Sequence, residues 1–286
     1  MSTAVEALTP VVERPDTLVG DAWRRFRRNR LAMVGLLIVL LIVTAAAFAP
    51  WLAPQDPAKQ SLFEKRARPG GKYLLGADEF GRDILSRVIY GARIALLVGL
   101  VSVGIALGLG LVLGSVAGFL GGWIDGGIMR AVEVLLAFPY LLLAIAVVSA
   151  LGPGALNTTI AVGIWGTPPV TRIVRGAVLA LSETEYVRAA RALGATGPAL
   201  VSRHILPNIL PTVIVYGTLF MANAILVEAA LSFLGLGVQP PTPSWGLMVA
   251  TGRDVLLVTP HITTIPGLTR RGGAGRGRPA GRPRGG

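Results

Sequence analysis

The chain has 286 residues, 52% of them hydrophobic and 15% charged, well short of the roughly 25% charged that an ordinary soluble domain carries. Five stretches, 31–49, 94–124, 134–171, 204–227 and 229–252, contain no Asp, Glu, Lys or Arg, and about 20 apolar residues suffice to cross a bilayer as helix. Composition therefore excludes a soluble enzyme, and without an alternating barrel pattern the spans must be helical, because hydrocarbon offers the backbone no water.

The net charge is +12, but six of the 27 basic residues fall in the last 17 positions, and without them the charge is +6. The absence of cysteine removes disulfides, thiolate metal sites and a cysteine nucleophile. His204 and His261 stand far apart with no HExxH pattern, so no metal site is expected. No cofactor is called for. No G-x4-G-K-[ST] loop occurs, which excludes ATP hydrolysis by that route.

In chain order, residues 1–30 form a polar segment ending in Trp23-Arg24-Arg25-Phe26-Arg27-Arg28-Asn29-Arg30. The first span, 31–50, reads as a signal anchor, since its apolar core exceeds the roughly 7–15 residues of a cleaved signal peptide. The adjoining arginines predict a cytoplasmic N-terminus; the other reading is a nucleic-acid patch. Segment 51–93 is then an external loop, although it holds eight Lys or Arg. Within it, Ile84, Leu85, Val88 and Ile89 share one face of 81–93, predicting a short helix at the membrane interface with Arg82 and Arg87 turned to water or headgroups.

Further spans are expected within 94–120, 133–151, 155–171 and 209–235. The second is rich in glycine (Gly104, Gly108, Gly110, Gly114, Gly118, Gly122), a spacing that lets helix backbones approach and places this helix inside a bundle. Glu133 lies three residues after Arg130, so an ion pair on one helix is expected. Pro211 removes a backbone donor and predicts a kink in the fifth span.

The basic stretch 172–207 reads as helical and cytoplasmic. Ser182-Glu183-Thr184-Glu185 has the form of a capping box, Gly194 of a left-handed helix stop, and Thr196 of a cap before Gly197-Pro198. Docking to a soluble partner through Tyr186, Val187 and the alanines, or a merely amphipathic surface helix, both fit this pattern.

Glu185-Tyr186-Val187-Arg188-Ala189-Ala190-Arg191-Ala192-Leu193-Gly194, followed by His204-Ile205-Leu206-Pro207-Asn208, resembles the EAA loop of the integral-membrane subunits of bacterial ABC importers. Arg188 stands where the motif name places glutamate, and His204 where isoleucine is common. Three further stretches resemble the dipeptide, oligopeptide and nickel permeases: Leu75-Gly76-Ala77-Asp78-Glu79-Phe80-Gly81-Arg82-Asp83-Ile84-Leu85-Ser86-Arg87, then Ala137-Phe138-Pro139, then Glu228-Ala229-Ala230-Leu231-Ser232-Phe233-Leu234-Gly235-Leu236-Gly237 continuing into Pro241-Thr242-Pro243-Ser244-Trp245-Gly246. The likeness runs over roughly 20–268.

This resemblance implies an all-α membrane protein, a polytopic helical bundle of the type I ABC importer permease kind, with five clear spans and a sixth truncated or altered. It implies a permease core at 94–268 with the coupling loop at 182–207, in which Glu185, Ala189, Ala190, Gly194, Leu206 and Pro207 meet an ATP-binding subunit. The implied partners are a second permease subunit, two ATP-binding subunits, an external substrate-binding protein and the lipid bilayer, with no nucleic acid. The implied place is the bacterial inner membrane, and the implied cargo a short peptide, with nickel or another small solute as the alternative.

Glu228 is the main intramembrane acid. It either faces the translocation path or a gate, or is hydrogen-bonded within the bundle to hold helices in register. A rival class, an autonomous ion-coupled secondary transporter, would have to use Glu228 as its coupling acid. Residues 269–286 are Arg, Gly, Pro and Ala with nothing to bury, so a disordered tail is expected. The likeness stops after Leu268, where the family opens its sixth span; the composition beyond suits a shifted reading frame, and a frameshifted or truncated chain is the expectation. No aromatic residues interleave with the arginines, against an RNA-binding arm.

Overall fold

The computed structural model describes residues 23, 24, 26–253, 262 and 264; the expected tail at 269–286 and the approach to a sixth span lie outside them. These residues fall into two units, one ending at Ile42 and one beginning at Val43. Helix α1, Arg30–Ala47, runs across that division, and its side chains in the first unit are largely exposed.

The second unit is built on helices α2 (Ala49–Leu52), α3 (Ile84–Leu120), α4 (Gly122–Ala137), α5 (Tyr140–Leu151), α6 (Ala155–Ser182), α7 (Glu185–Ala192), α8 (Gly197–Leu200), α9 (Leu206–Phe233) and α10 (Trp245–Gly252). A π-helical turn, Val201–Ile205, joins α8 to α9 without a break in the helical path. Only two isolated antiparallel bridges, Gly70 with Tyr73 and Ala77 with Asp83, stand among the described residues.

Three helical stretches are long and apolar enough to cross a membrane alone: Arg30–Ala47, Ile84–Leu120 and Gly197–Phe233. The third expected span is broken into α4 and α5, bent by 97°. The cause is local. Pro139 has no N–H to continue a helix, and it drives Phe138 to an extended backbone at φ −85°, ψ 136°. The fourth expected span is α6, whose 28 residues include Pro168 and Pro169. It stays helical around them, with the Thr167 and Thr171 hydroxyls donating to the carbonyls of Gly163 and Thr167 at 3.0 and 2.9 Å. α9 likewise continues through Pro211.

Helix α3 is the spine. At about 1.5 Å per residue its 37 residues reach about 55 Å, and α6 lies against it with almost no side-chain separation. A Cβ added at Gly110 would come within 2.4 Å of Val170, at Gly114 within 2.7 Å of the Thr171 carbonyl, and at Gly118 within 2.9 Å of Val178. Gly104 and Gly108 face open space, so the glycine pattern is two faces, one packed and one free. Two apolar clusters extend the contact: Val162, Val148, Phe220, Val227 and Leu231 around one half, and Val170, Val174, Val178, Val187, Ile205 and Ile209 around the other.

Two sequence expectations fail here. Segment 81–93 is not a separate interfacial helix. Asp83 caps α3, accepting from the Ser86 N–H at 2.8 Å, and from Ile84 the helix continues unbroken to Leu120. Arg82 and Arg87 do not face water; they are 5% and 1% exposed, because Asp78 is buried beside them. The Ser182–Glu185 capping box is not formed either. Ser182 ends α6 with its hydroxyl donating to the Val178 carbonyl, and the N-cap of α7 is Thr184, whose hydroxyl turns back to Leu181. The Arg130–Glu133 pair is present at 3.6 Å on an exposed face.

Replacing Gly114 by leucine should destabilise the bundle by about 1–3 kcal/mol through overpacking. Gly108→Ala should be neutral or slightly stabilising. Thermal unfolding of the two variants in detergent makes the comparison.

Candidate functional site

At the end where α3 begins, the sequence blocks 75–87 and 228–246 meet. The Asp78 carboxylate accepts from the Arg82 Nε at 2.6 Å and from the Phe80 and Arg82 N–H groups at 2.9 and 3.0 Å, and lies 3.6 Å from the Arg87 Nε. Arg87 in turn donates to the carbonyls of Pro57 and Pro241 at 3.0 and 3.4 Å. The Trp245 indole donates to the Val88 carbonyl at 3.0 Å, and its ring occupies the space a Cβ on Gly91 would fill. A buried charge is tolerable only when paired and hydrogen-bonded, so this network fixes the loop, the start of α3 and the segment after α9 as one body. It also accounts for part of the basic character of 51–93: Arg82, Arg87 and Lys72 are matched by Asp78 and Glu64.

In the same loop, Glu64 takes hydrogen bonds from Lys72 and from the Tyr73 hydroxyl, both at 2.5 Å, and these hold its pKa down at about 2.

Glu228 lies in the last turns of α9, 2% exposed. Its Oε1 accepts from the Ser232 hydroxyl at 2.7 Å, one turn on, and from the Ser244 hydroxyl at 2.9 Å, at the start of α10. Ser232 also accepts from the Val238 N–H at 3.0 Å. The chain doubles back tightly at this point: Gly235 has φ +80°, and any Cβ on Gly237 would strike Ser232 at 2.1 Å. The carboxyl thus joins α9 to the segment that follows it.

At the end where α3 stops, α7 stands out as a short exposed helix with one anchored face. Its C-terminus closes with two paired hydrogen bonds, Ala195 N–H to the Ala190 carbonyl at 3.1 Å and Gly194 N–H to the Arg191 carbonyl at 3.0 Å, around Gly194 at φ +90°. Val187 is fully buried and packs with Leu200, Ile205 and Ile209, so it is unavailable for docking. Ala190 packs against the same cluster, while Glu185 and Ala189 point outward. Leu206 and Pro207 begin the regular α9 directly after the π-turn, where Pro207 brings no N–H to the continuing helix.

Three contributors escaped sequence reasoning. Leu193, absent from the docking face read from Tyr186, Val187 and the alanines, is 89% exposed at the tip of α7. Asn208 donates to the Tyr186 hydroxyl at 3.3 Å and to the His204 carbonyl at 2.6 Å, tying α7 to α9. Arg175 of α6 grips Asp125 of α4 through two bonds of 2.5 Å. Charges 50 residues apart carry no local signal; only the tandem of polar residue and helix start at Leu206-Pro207-Asn208 hinted at the second.

Removing the Asp78 carboxylate by alanine should cost about 3–5 kcal/mol, since Arg82 and Arg87 are then left buried without a counter-charge; thermal unfolding in detergent reads it. Gly194→Val should cost about 1–2 kcal/mol by forcing a branched residue into a left-handed conformation, seen as faster amide exchange confined to α7.

Comparison with known proteins follows the same lines. Residues 110–269 match the family described as "Binding-protein-dependent transport system inner membrane component", and residues 17–69 match the N-terminal TM domain of oligopeptide transport permease C. The chain is 47% identical over 255 residues to the di/tripeptide transport system permease protein DppC of Pseudomonas aeruginosa (strain UCBPP-PA14), covering 87% of this chain and 84% of that protein. It is 45% identical over 249 residues to the glutathione transport system permease protein GsiD of Shigella flexneri serotype 5b (strain 8401), with 87% and 82% covered. In fold it is similar to a chain of the MetNI methionine ABC transporter, with a TM-score of 0.52 at 18% identity, covering 65% of this chain and 91% of that one. A helical bundle organised around a glycine-packed spine, with an anchored exposed helix at one end, accords with these matches: the chain belongs to the family of inner-membrane permease components of binding-protein-dependent transport systems, and is a transport subunit, not an enzyme.

Proposed function

We propose that this permease subunit carries short peptides across a bacterial inner membrane. It would act with a second permease subunit, two ATP-binding subunits and an external substrate-binding protein, with its N-terminus in the cytoplasm. The relatives named for di/tripeptides and for glutathione, itself a tripeptide, support that cargo.

The observation that carries the coupling role is the two-sided character of α7. One face is locked: Val187 sits in the cluster shared with α6 and α9, and Tyr186 is tied to Asn208. The other face presents Glu185, Ala189 and the apolar tip Leu193. An ATP-binding subunit that seats this face and moves would carry α9 with it, because the buried side chains leave no slack between them. In this reading Glu185 and Ala189 touch the partner, Gly194 shapes the tip, and Ala190, Leu206 and Pro207 pass the displacement on. Glu228 serves as a gate-end brace: its hydroxyl partners on α9 and at the start of α10 would keep the last turns of α9 with the loop after them as the pathway opens.

The test is co-purification and uptake with the complete transporter in proteoliposomes. Leu193→Asp should leave thermal stability within about 0.5 kcal/mol of native, as for most exposed sites, yet lose the ATP-binding subunits and tripeptide uptake together. Native uptake that needs an ion gradient and ignores ATP would overturn the importer mechanism, and ATP-driven uptake of nickel without peptide would overturn the cargo.

A further inference from the structure

Midway along the bundle, a cavity of about 410 Å³ opens between α5, α6 and α9, lined by Tyr140, Leu141, Trp165, Asn223, Leu226 and Val227, with Ala230 at its edge. Its size falls in the roughly 300–1,000 Å³ range of small-molecule sites. No charged residue lines it. Tyr140 and Trp165 form its aromatic wall, their rings 5.1 Å apart, and behind Trp165 the buried Phe220 ring lies 5.4 Å away and stacks on Tyr216 at 6.3 Å. Space for that series is reserved in the backbone, since a Cβ on Gly166 would fall 2.1 Å from the Phe220 ring. The opposite wall is aliphatic, from Leu226, Val227 and Ala230, and Asn223 sets one amide at its rim.

We infer that this cavity is a cargo-contact site that receives an apolar or aromatic side chain of a short peptide, with Trp165 as the stacking surface and the Asn223 amide pairing with the peptide backbone. The inference rests on the peptide reading above and adds the residues that meet the cargo. The chemistry favours that occupant. A cavity without charges offers no ion pair to a peptide's ammonium or carboxylate termini, which favours an internal side chain and its flanking amide as the occupant. Asn223 offers a donor and an acceptor together, matching both groups of a peptide unit. Its own amide N–H makes only a long bond of 3.3 Å to the Leu219 carbonyl one turn back, which is readily exchanged for a ligand. Glu228 is adjacent to Val227 in sequence but is committed to Ser232 and Ser244, so the cargo contact falls to Asn223 on this helix.

The experiment uses the complete transporter in proteoliposomes with two tripeptides of one backbone, Ala-Ala-Ala and Ala-Phe-Ala. Trp165→Ala should lower uptake of Ala-Phe-Ala relative to Ala-Ala-Ala by about three- to tenfold, the scale of one aromatic pair. ATP hydrolysis stimulated by the binding protein should be unchanged, and Trp165→Phe should restore most of the ratio. Asn223→Leu should lower uptake of both peptides, again with hydrolysis intact. An unchanged ratio in Trp165→Ala overturns the site while leaving the peptide reading in place. Loss of the second permease subunit from the Trp165→Ala complex also overturns it, because the cavity is then a subunit interface. If the native complex hydrolyses ATP on stimulation but takes up neither peptide, the peptide reading itself fails.

Discussion

The contact on which the rest of this structure depends is the near absence of side chains between α3 and α6. Gly110, Gly114 and Gly118 allow the valines and backbone carbonyls of α6 to rest directly on the α3 backbone. In a membrane the hydrophobic effect does little to press one helix on another, and close van der Waals packing of small residues takes its place. Because α3 runs the length of the bundle, this seam fixes α6 along much of its course. Both ends are then built by reference to it: the Asp78–Arg87 network where α3 begins, and the anchored α7 where it stops.

Each end solves the same problem of carrying polar chemistry on an apolar scaffold, but by different means. At the first, charge is held inside the fold, with Asp78 shared by two arginines and Glu228 accepting from two serine hydroxyls. At the second, charge is left outside and only Val187 and Ala190 enter the core. A buried, charge-paired network resists displacement, whereas an exposed helix held through one apolar face is suited to meet a partner. Both α7 and α9 end in the same way, on a glycine in left-handed conformation with the next N–H reaching back to the helix: Ala195 to Ala190, and Leu236 to Leu231. The abrupt stop places Leu193 at the tip in one case and returns the chain over Ser232 in the other.

The aromatic series from Tyr140 through Trp165 and Phe220 to Tyr216 lies between these ends. Stiff rings lose little freedom on packing and keep a defined surface, and Gly166 gives Phe220 its place. The bend at Phe138–Pro139 is what brings Tyr140 to Trp165, so the broken helix pair positions part of the cavity wall.

Much of this was legible in sequence. The charge-free runs 31–49, 94–124 and 204–227 marked the three helical stretches long and apolar enough to cross alone, because a bilayer core penalises charge at every residue of a span, whereas 134–171 and 229–252 are each broken by non-helical residues. The pattern from Glu185 to Gly194 marked a short helix with a left-handed end, because only glycine accepts that conformation freely. What the sequence left undecided were relations across distance. Arg82 and Arg87 read as surface residues on local periodicity; Asp78 is only four residues from Arg82, but the burial of the group depends on distant Pro57 and Pro241, whose carbonyls receive Arg87. Ser182 and Thr184 compete for one cap, and α6 extending to Ser182 settled it. Which glycines are packed and which are free, whether Glu228 meets hydroxyls or open space, and which of Val187 and Leu193 is exposed all depend on the rotation of a helix about its axis against its neighbours. Composition and spacing determine that a helix forms and how far it runs; that rotation is set only when the helices pack.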